Sequence, residues 1–374
     1  MYLLQALGSN GSGQLGLGHK DDTSTPEPVL LPASLTTSHP KISHIAAGGN
    51  HTLLLLSSGN LLWSGDPTTG ACGRVTATAT HSLTSPSFRP VDLSCLPANS
   101  KIQHVAATWE ASVVVVTSSS SDGTEDDDAA ANKVYSFGSG GKGELGLGEG
   151  TVRAGEPTEI PDFPPAGTRV VHVVACMGHV VAVLSNGEAW GWGNGRKGQL
   201  GEPAAGAVHS PRRIEGVEFK AAKAVCGREF TCLFGPPKTG EVVVLGSEKW
   251  GVRSQAPESV IRWKEVGAGW GSLFVLKENG VLLSWGRDDH GQLAPGNLGR
   301  VRHIAVGSEH ALALTEAGDL VVWGWGEHGN CGPIRDNNEE KGQQNRIASN
   351  EKGLEITMIG AGCATSWIAS ERPA

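Results

Sequence analysis

Apolar positions in this chain come as short runs of about six residues separated by Gly-rich polar turns, the rhythm of strands and not of helices. The clearest instance is IAAGGNHTLLLL at 45–56, followed by GNLLWSG at 59–65. It returns as VVACMGHVVAVL at 173–184 with GEAWGWG from 187, and as IAVGSEHALALT at 304–315 with GDLVVWGWG from 318. Weaker copies begin near Val105, Ala224, Val266 and Ile359. Aligned on the histidine of the first copy, the seven carry His51, Ala111, His179, Phe230, Gly271, His310 and Thr365, the fifth copy reading one residue short. The mean spacing is about 52 residues, and such a period with about four strands per unit is the signature of propeller blades.

A second motif, a strand ending in Gly and then a G-x-L-G turn, follows most copies: Gly13–Gly16, Gly143–Gly146, Gly198–Gly201 and a degraded form at 291–294. The last copy, ITMIGAGCATSWIAS at 356–370, has no such strand after it, whereas the chain opens with one at 2–8. The expected fold is therefore all-β: a single seven-bladed propeller over 1–374, closed when the N-terminal strand completes the last blade. Closure removes the two unpaired edges an open array would expose. Three stretches depart from the repeat, at 66–100, 118–133 and 333–353. The second, acidic and Ser-rich without a large apolar residue, is expected to be a disordered loop, and the third a polar loop insertion.

Composition supports this picture. The 374 residues include 53 Gly, 20 Pro and 11 Trp against 2 Tyr, suiting many tight turns with heavy anchors between them. A net charge of −8 gives no phosphate-neutralising footprint, so direct nucleic-acid binding is not expected. No apolar run approaches the roughly 18 residues that cross a bilayer, and no secretory leader is apparent, so no membrane role is expected. The seven cysteines form no C-x-x-C pair and read as reduced thiols of a cytoplasmic or nuclear protein.

Chemistry is sparse. His51, His179 and His310 occupy one position in different blades and cannot share an ion, so they read as structural, each bonded to backbone of a neighbouring turn; no metal or cofactor is expected. The Gly-rich turns lack the lysine and following helix of a phosphate loop. No nucleophile elbow, H-E-x-x-H or carboxylate pair stands out, and no recurring polar position supplies a catalytic centre to the central channel, so an enzyme is not expected. Cys331 and Cys363 read as small buried residues.

Tryptophans are the informative side chains. Trp63, Trp192, Trp285 and Trp325 end the repeating W-G strands and are expected in packing. Trp109, Trp270 and Trp367 fall in or beside the first-motif turn, where other copies carry Asn50, Gly178 or Glu309. A large ring at a loop tip is what an interface hot spot requires. Glu110, Glu309, Glu327 and His328 would supply polar rim contacts. Trp325 and Asn330, from the segment 323–333, complete the expected partner-binding set.

The combination G-x-x-H-T, V-x-x-W-G and G-x-L-G resembles the repeat of the regulator of chromosome condensation family across essentially the whole chain. WGWGEHGNCGP at 323–333, GSEH at 307–310, GCATSW at 362–367 and the opening ALGSNGSGQLGLGH are similar to the fungal alpha-tubulin suppressor branch of that family. That resemblance implies a heterodimer with a small zinc-ribbon protein of the diphthamide pathway. Through this partner it further implies support of diphthamide formation on elongation factor two and, indirectly, of Elongator-dependent tRNA modification. The family's name-giving member implies an alternative, nucleotide exchange on a Ran-like GTPase, although the main hairpin insertion here is acidic and Ser-rich.

Overall fold

The second strand of each unit is apolar at nearly every position, and the architecture explains why. In the computed structural model, which describes residues 2–36, 41–75, 85–118, 132–333, 344–349 and 353–372, these strands lie inside blades whose two faces both press on neighbours. His51–Leu56, His179–Leu184 and His310–Thr315 are buried throughout. A strand covered on both sides has no solvent face to alternate with.

Seven antiparallel sheets make the ring. Blade 1 comprises Ile42–Ala47, His51–Leu56, Leu61–Gly65 and Arg89–Pro90; blade 2 Ser100–Ala107, Ala111–Ser118, Asn132–Ser139 and Arg153–Glu159; blade 3 Val170–Cys176, His179–Leu184, Ala189–Gly195 and Ala205–Arg213. Blade 4 holds Lys223–Cys226, Phe230–Phe234 and Val242–Gly246, and blade 5 Trp263–Ala268, Ser272–Lys277 and Leu282–Gly286. Blade 6 holds Val301–Val306, His310–Thr315, Asp319–Gly324 and Asn345–Ser349. Blade 7 is the seam: Glu355–Ala361 and Thr365–Glu371 come from the end of the chain, Tyr2–Gly8 and Thr23–Pro28 from its beginning. Tyr2–Gly8 pairs in unbroken register from Tyr2↔Glu371 to Gly8↔Thr365, as the closed ring requires.

Two sequence expectations change. The fifth copy is not short: Ser272 faces Gly286 as His51 faces Gly65, so Ser272, not Gly271, fills the histidine position. Within 333–353, Asn345–Ser349 is the outer strand of blade 6 and not loop; an outer edge strand needs little apolar content and so gives little pattern. The expected disordered loop falls mostly on 119–131, outside the described residues.

The glycine ending each third strand has a steric cause. At Gly65, φ is 119° and a Cβ would stand 2.2 Å from the carbonyl oxygen of Asn50; Gly8, Gly138, Gly193, Gly246, Gly286 and Gly324 are equivalent. The tryptophans beside them reach the preceding blade: Trp192 Nε1 donates to Glu144 O at 3.0 Å and Trp323 Nε1 to Gln292 O at 2.9 Å. Trp63, Trp192 and Trp285 are buried, as expected.

His51, His179 and His310 are buried too, and they bond across blades to hydroxyls, Ser112 Oγ at 3.0 Å, Thr231 Oγ1 at 3.1 Å and Ser366 Oγ at 3.0 Å, with the backbone of Phe230 and Thr365 also engaging His179 and His310. Ser112 and Ser366 spend their own hydrogens on Ala71 O and Asn330 O, so the imidazole Nε2–H must be the donor. Burial pushes all three imidazoles down to about 4, which keeps them neutral.

Candidate protein-binding face

The turns joining first and second strands surround one mouth of the central channel. The residue at the Gly49 position of each turn is Gly49, Trp109, Met177, Arg228, Trp270, Ser308 or Cys363 in blade order. Backbone bonds lace these turns together: Gly49 N–H donates to Trp109 O, Trp109 N–H to Met177 O, Trp270 N–H to Ser308 O and Ser308 N–H to Gly362 O. The scaffold under any side chain here is therefore stiff. Trp109 and Trp270, from blades 2 and 5, lean together over the mouth with ring centroids 6.1 Å apart, and Arg228 lies 5.5 Å from the Trp270 ring.

Beside this pair the third-strand turns of blades 4 to 6 build a groove of about 420 Å³. Trp250 and Trp325, 41% and 38% exposed, face it. The guanidinium of Arg287 lies between them, 4.9 Å from one ring and 6.0 Å from the other. Asp289 grips Arg287 at 2.6 and 2.9 Å, and Glu309 pairs with its remaining nitrogen. The bond from Arg287 holds the Asp289 carboxyl down at about 2, whereas burial pushes the Glu309 carboxyl up. Lys249 stands 4.9 Å from the Trp250 ring, and His290 stacks on Trp325 at 4.4 Å. Neither Arg228 nor Lys249 has a carboxylate partner among the described residues. Exposed, rigidly backed indoles carrying cations suit the anchoring of a protein surface.

Of the expected set, Trp109, Trp270 and Trp325 converge on this face. Trp325 is exposed, not packed as its W-G position suggested, because its turn carries it out of the sheet. Glu110 is exposed next to Trp109. Glu327 and His328 are exposed on the blade 6 turn, His328 Nδ1 lying 3.0 Å from Asp22 Oδ2 of blade 7. Three assignments are corrected. Trp367 is fully buried in the seam strand, edge-on to Phe88 at 5.9 Å, because it lies two residues past the turn. Asn330 is 1% exposed and its amide donates to Trp325 O at 3.0 Å, which braces the turn from within. Glu309, 7% exposed, is spent on Arg287 and on the Gln292 amide at 3.0 Å, so it orients the groove instead of forming its rim. Sequence reading missed Trp250, Arg228, Arg287, Lys249 and His290; Arg228 and Arg287 sit at recurring turn positions whose side chains differ from blade to blade.

Cys331 is fully buried, and Cys363 borders the channel with its thiol raised by burial. No three His, Cys, Asp or Glu side chains among the described residues are placed to hold a metal ion. No described helix is long and apolar enough to cross a membrane.

The profile of the RCC1-like domain matches residues 4–368. The chain belongs to the RCC1-like domain family. Among relatives of this RCC1-like chain, an RCC1 repeat-containing protein of Schizosaccharomyces pombe is 31% identical, with 78% of each chain covered. The secretion-regulating guanine nucleotide exchange factor of Mus musculus is 28% identical over 78% of this chain and 61% of its own, so this chain spans about three fifths of that relative. Prp20p of Saccharomyces cerevisiae, described with its binding to Gsp1p and histones, superposes with a TM-score of 0.80 at 21% identity, covering 100% of this chain and 92% of its own. Human WBSCR16 superposes at 0.76 and 17% identity with both chains fully covered. At those identities the solved structures establish the shared propeller fold.

Proposed function

We propose that this RCC1-like propeller is a non-catalytic scaffold that forms a heterodimer with a small zinc-ribbon protein of the diphthamide pathway. Through it, the propeller would support diphthamide formation on elongation factor two and Elongator-dependent modification of wobble uridines in tRNA. The observation that carries the docking role is the face where Trp109, Trp270, Trp250 and Trp325 are gathered with Arg228, Lys249 and Arg287. Each indole can bury apolar area worth about 25 cal/mol per Å² before the costs of association. The resemblance of 323–333 and 362–367 to the alpha-tubulin suppressor branch supplies the partner's identity. On this reading the protein acts in cytoplasm and nucleus and contacts neither membrane nor nucleic acid directly. Affinity capture from cell extract tests it: the small zinc protein should be recovered by the wild-type chain and lost with the Trp109→Ala, Trp270→Ala double variant. Recovery of no such protein overturns the reading.

Nucleotide exchange on a Ran-like GTPase is the second reading, supported by relatives named as exchange factors. Release of labelled GDP from purified Ran decides it, since an unaccelerated rate removes exchange from consideration.

A further inference from the structure

The channel runs from the tryptophan mouth to a second ring of equivalent side chains. In each first strand one position faces the same residue of the second strand: His44↔Leu55, His104↔Val115, His172↔Val183, Lys223↔Phe234, Glu265↔Leu276, His303↔Leu314 and Met358↔Ala369. In six of the seven blades the register shifts immediately before this residue, and such a bulge re-aims the side chain that follows it. Blades 1 to 4 place three imidazoles and an ammonium at neighbouring positions, and His44, His172 and Lys223 line one part of the channel cavity of about 490 Å³ that also reaches Trp109 and Trp270. On the other side Glu265 is already engaged, bonding His303 Nδ1 at 2.6 Å and the Ile304 N–H at 2.8 Å.

The blade 1 to 4 arc is left with donors to spare. His172 Nε2–H donates to Ala224 O at 2.9 Å, which leaves Nδ1 to accept from Lys223 Nζ at 3.4 Å. The ammonium thus keeps two further hydrogens and has no carboxylate partner among the described residues. Lys223 and its surroundings make the site electropositive enough to disfavour protonation of His44, His104 and His172 beyond what burial does. A half-buried, unneutralised cation, held by His172 and lying in one ring with the neutral imidazoles of His44 and His104, is an arrangement for an oxyanion.

We propose that this arc is a binding site for a small, multiply charged oxyanion of the phosphate class, with Lys223 supplying the charge, His44 and His104 the directional hydrogen bonds, and His172 holding the ammonium in place. The site lies at the opposite end of the channel from the tryptophan pair, so it stands independently of the zinc-ribbon partner. Titrating the full-length protein with inorganic pyrophosphate, followed by calorimetry and by the ring ¹⁵N resonances of the histidines, tests it. The expected result is saturable binding that moves the His44, His104 and His172 signals while sparing His51, His179 and His310. Lys223→Met should weaken it at least tenfold, and Lys223→Arg should restore most of the affinity. Unchanged affinity in Lys223→Met with its melting temperature retained, or no movement of the three ring signals at millimolar pyrophosphate, overturns the proposal. Weakening by His104→Gln, which keeps an amide donor and leaves the ammonium in place, should be smaller than that by Lys223→Met; the reverse order also overturns it.

Discussion

Mild acid should destabilise this propeller, and three side chains set the least it should lose, since His44, His104 and His172 are depressed in the same sense. His51, His179 and His310 are held neutral at about 4 in the fold, against about 6.5 for an unfolded histidine. Above pH 6.5 both states carry the neutral ring and nothing is lost. Between 6.5 and 4 the unfolded chain binds a proton that the native chain refuses, so each site removes about 1.4 kcal/mol of stability per pH unit. Together the three remove about 4 kcal/mol per unit, a large share of the 5–15 kcal/mol typical of a folded domain. Asp289, held down at about 2, contributes in the same sense only below the ordinary carboxylate range and leaves this window clear. Urea unfolding monitored by tryptophan fluorescence at pH 7.5, 6.5 and 5.5 measures the effect: the midpoint should be flat across the first interval and fall steeply across the second. His179→Gln, which retains an amide for Thr231 Oγ1, should reduce the slope by about 1.4 kcal/mol per pH unit. A midpoint that holds steady down to pH 5.5 would refute the reasoning, because the native imidazoles would then accept protons as readily as the unfolded ones.

Other perturbations separate surface from core. Trp270→Ala should weaken partner binding by on the order of 2 kcal/mol with little change in melting temperature, as titration calorimetry and thermal denaturation together would show. Trp367→Ala should do the reverse: removing a fully buried indole from the seam costs about 3–5 kcal/mol of stability, and the fraction that remains folded should bind normally. Gly65→Ala should cost about 2 kcal/mol or more by driving a Cβ into the Asn50 carbonyl and forcing an L-residue to positive φ. Equilibrium unfolding would expose a misassignment of that turn if the variant proved neutral.

Much of the ring was legible because its causes repeat. The apolar second strands, the W-G ends and the opening strand each reflect a packing demand that every blade imposes, so the period gives them away. The binding face was only half legible. Trp109 and Trp270 stand out as large rings where small residues belong, but Arg287 sits at a turn position where the other blades carry Ser, Asp, Asn or Trp, so nothing in the repeat singles it out. Trp367 misled because two residues of strand separate a loop tip from the core, a difference that no composition records. The ring at His44, His104, His172, Lys223, Glu265 and His303 is a different failure. It precedes the His51 position by a constant offset, and four of its members are histidines, yet it lies in the first strands, away from the Gly-rich turns on which the repeat aligns, so the expectation of no recurring polar position in the channel is wrong. Only the common cross-strand register shows that they are one position.

The seam has a consequence for biosynthesis. Tyr2–Gly8 is among the earliest stretches of this chain to be synthesised, yet its partner Thr365–Glu371 is among the last. At about 5–20 residues per second, Tyr2–Gly8 can pair early with Thr23–Pro28 on one edge, but its other edge must wait for tens of seconds at the ribosome surface while six blades assemble. During that interval the open edge of Tyr2–Gly8 offers a template for stray strand pairing, so the demand for chaperone protection should fall on this strand more than on those whose partners follow at once.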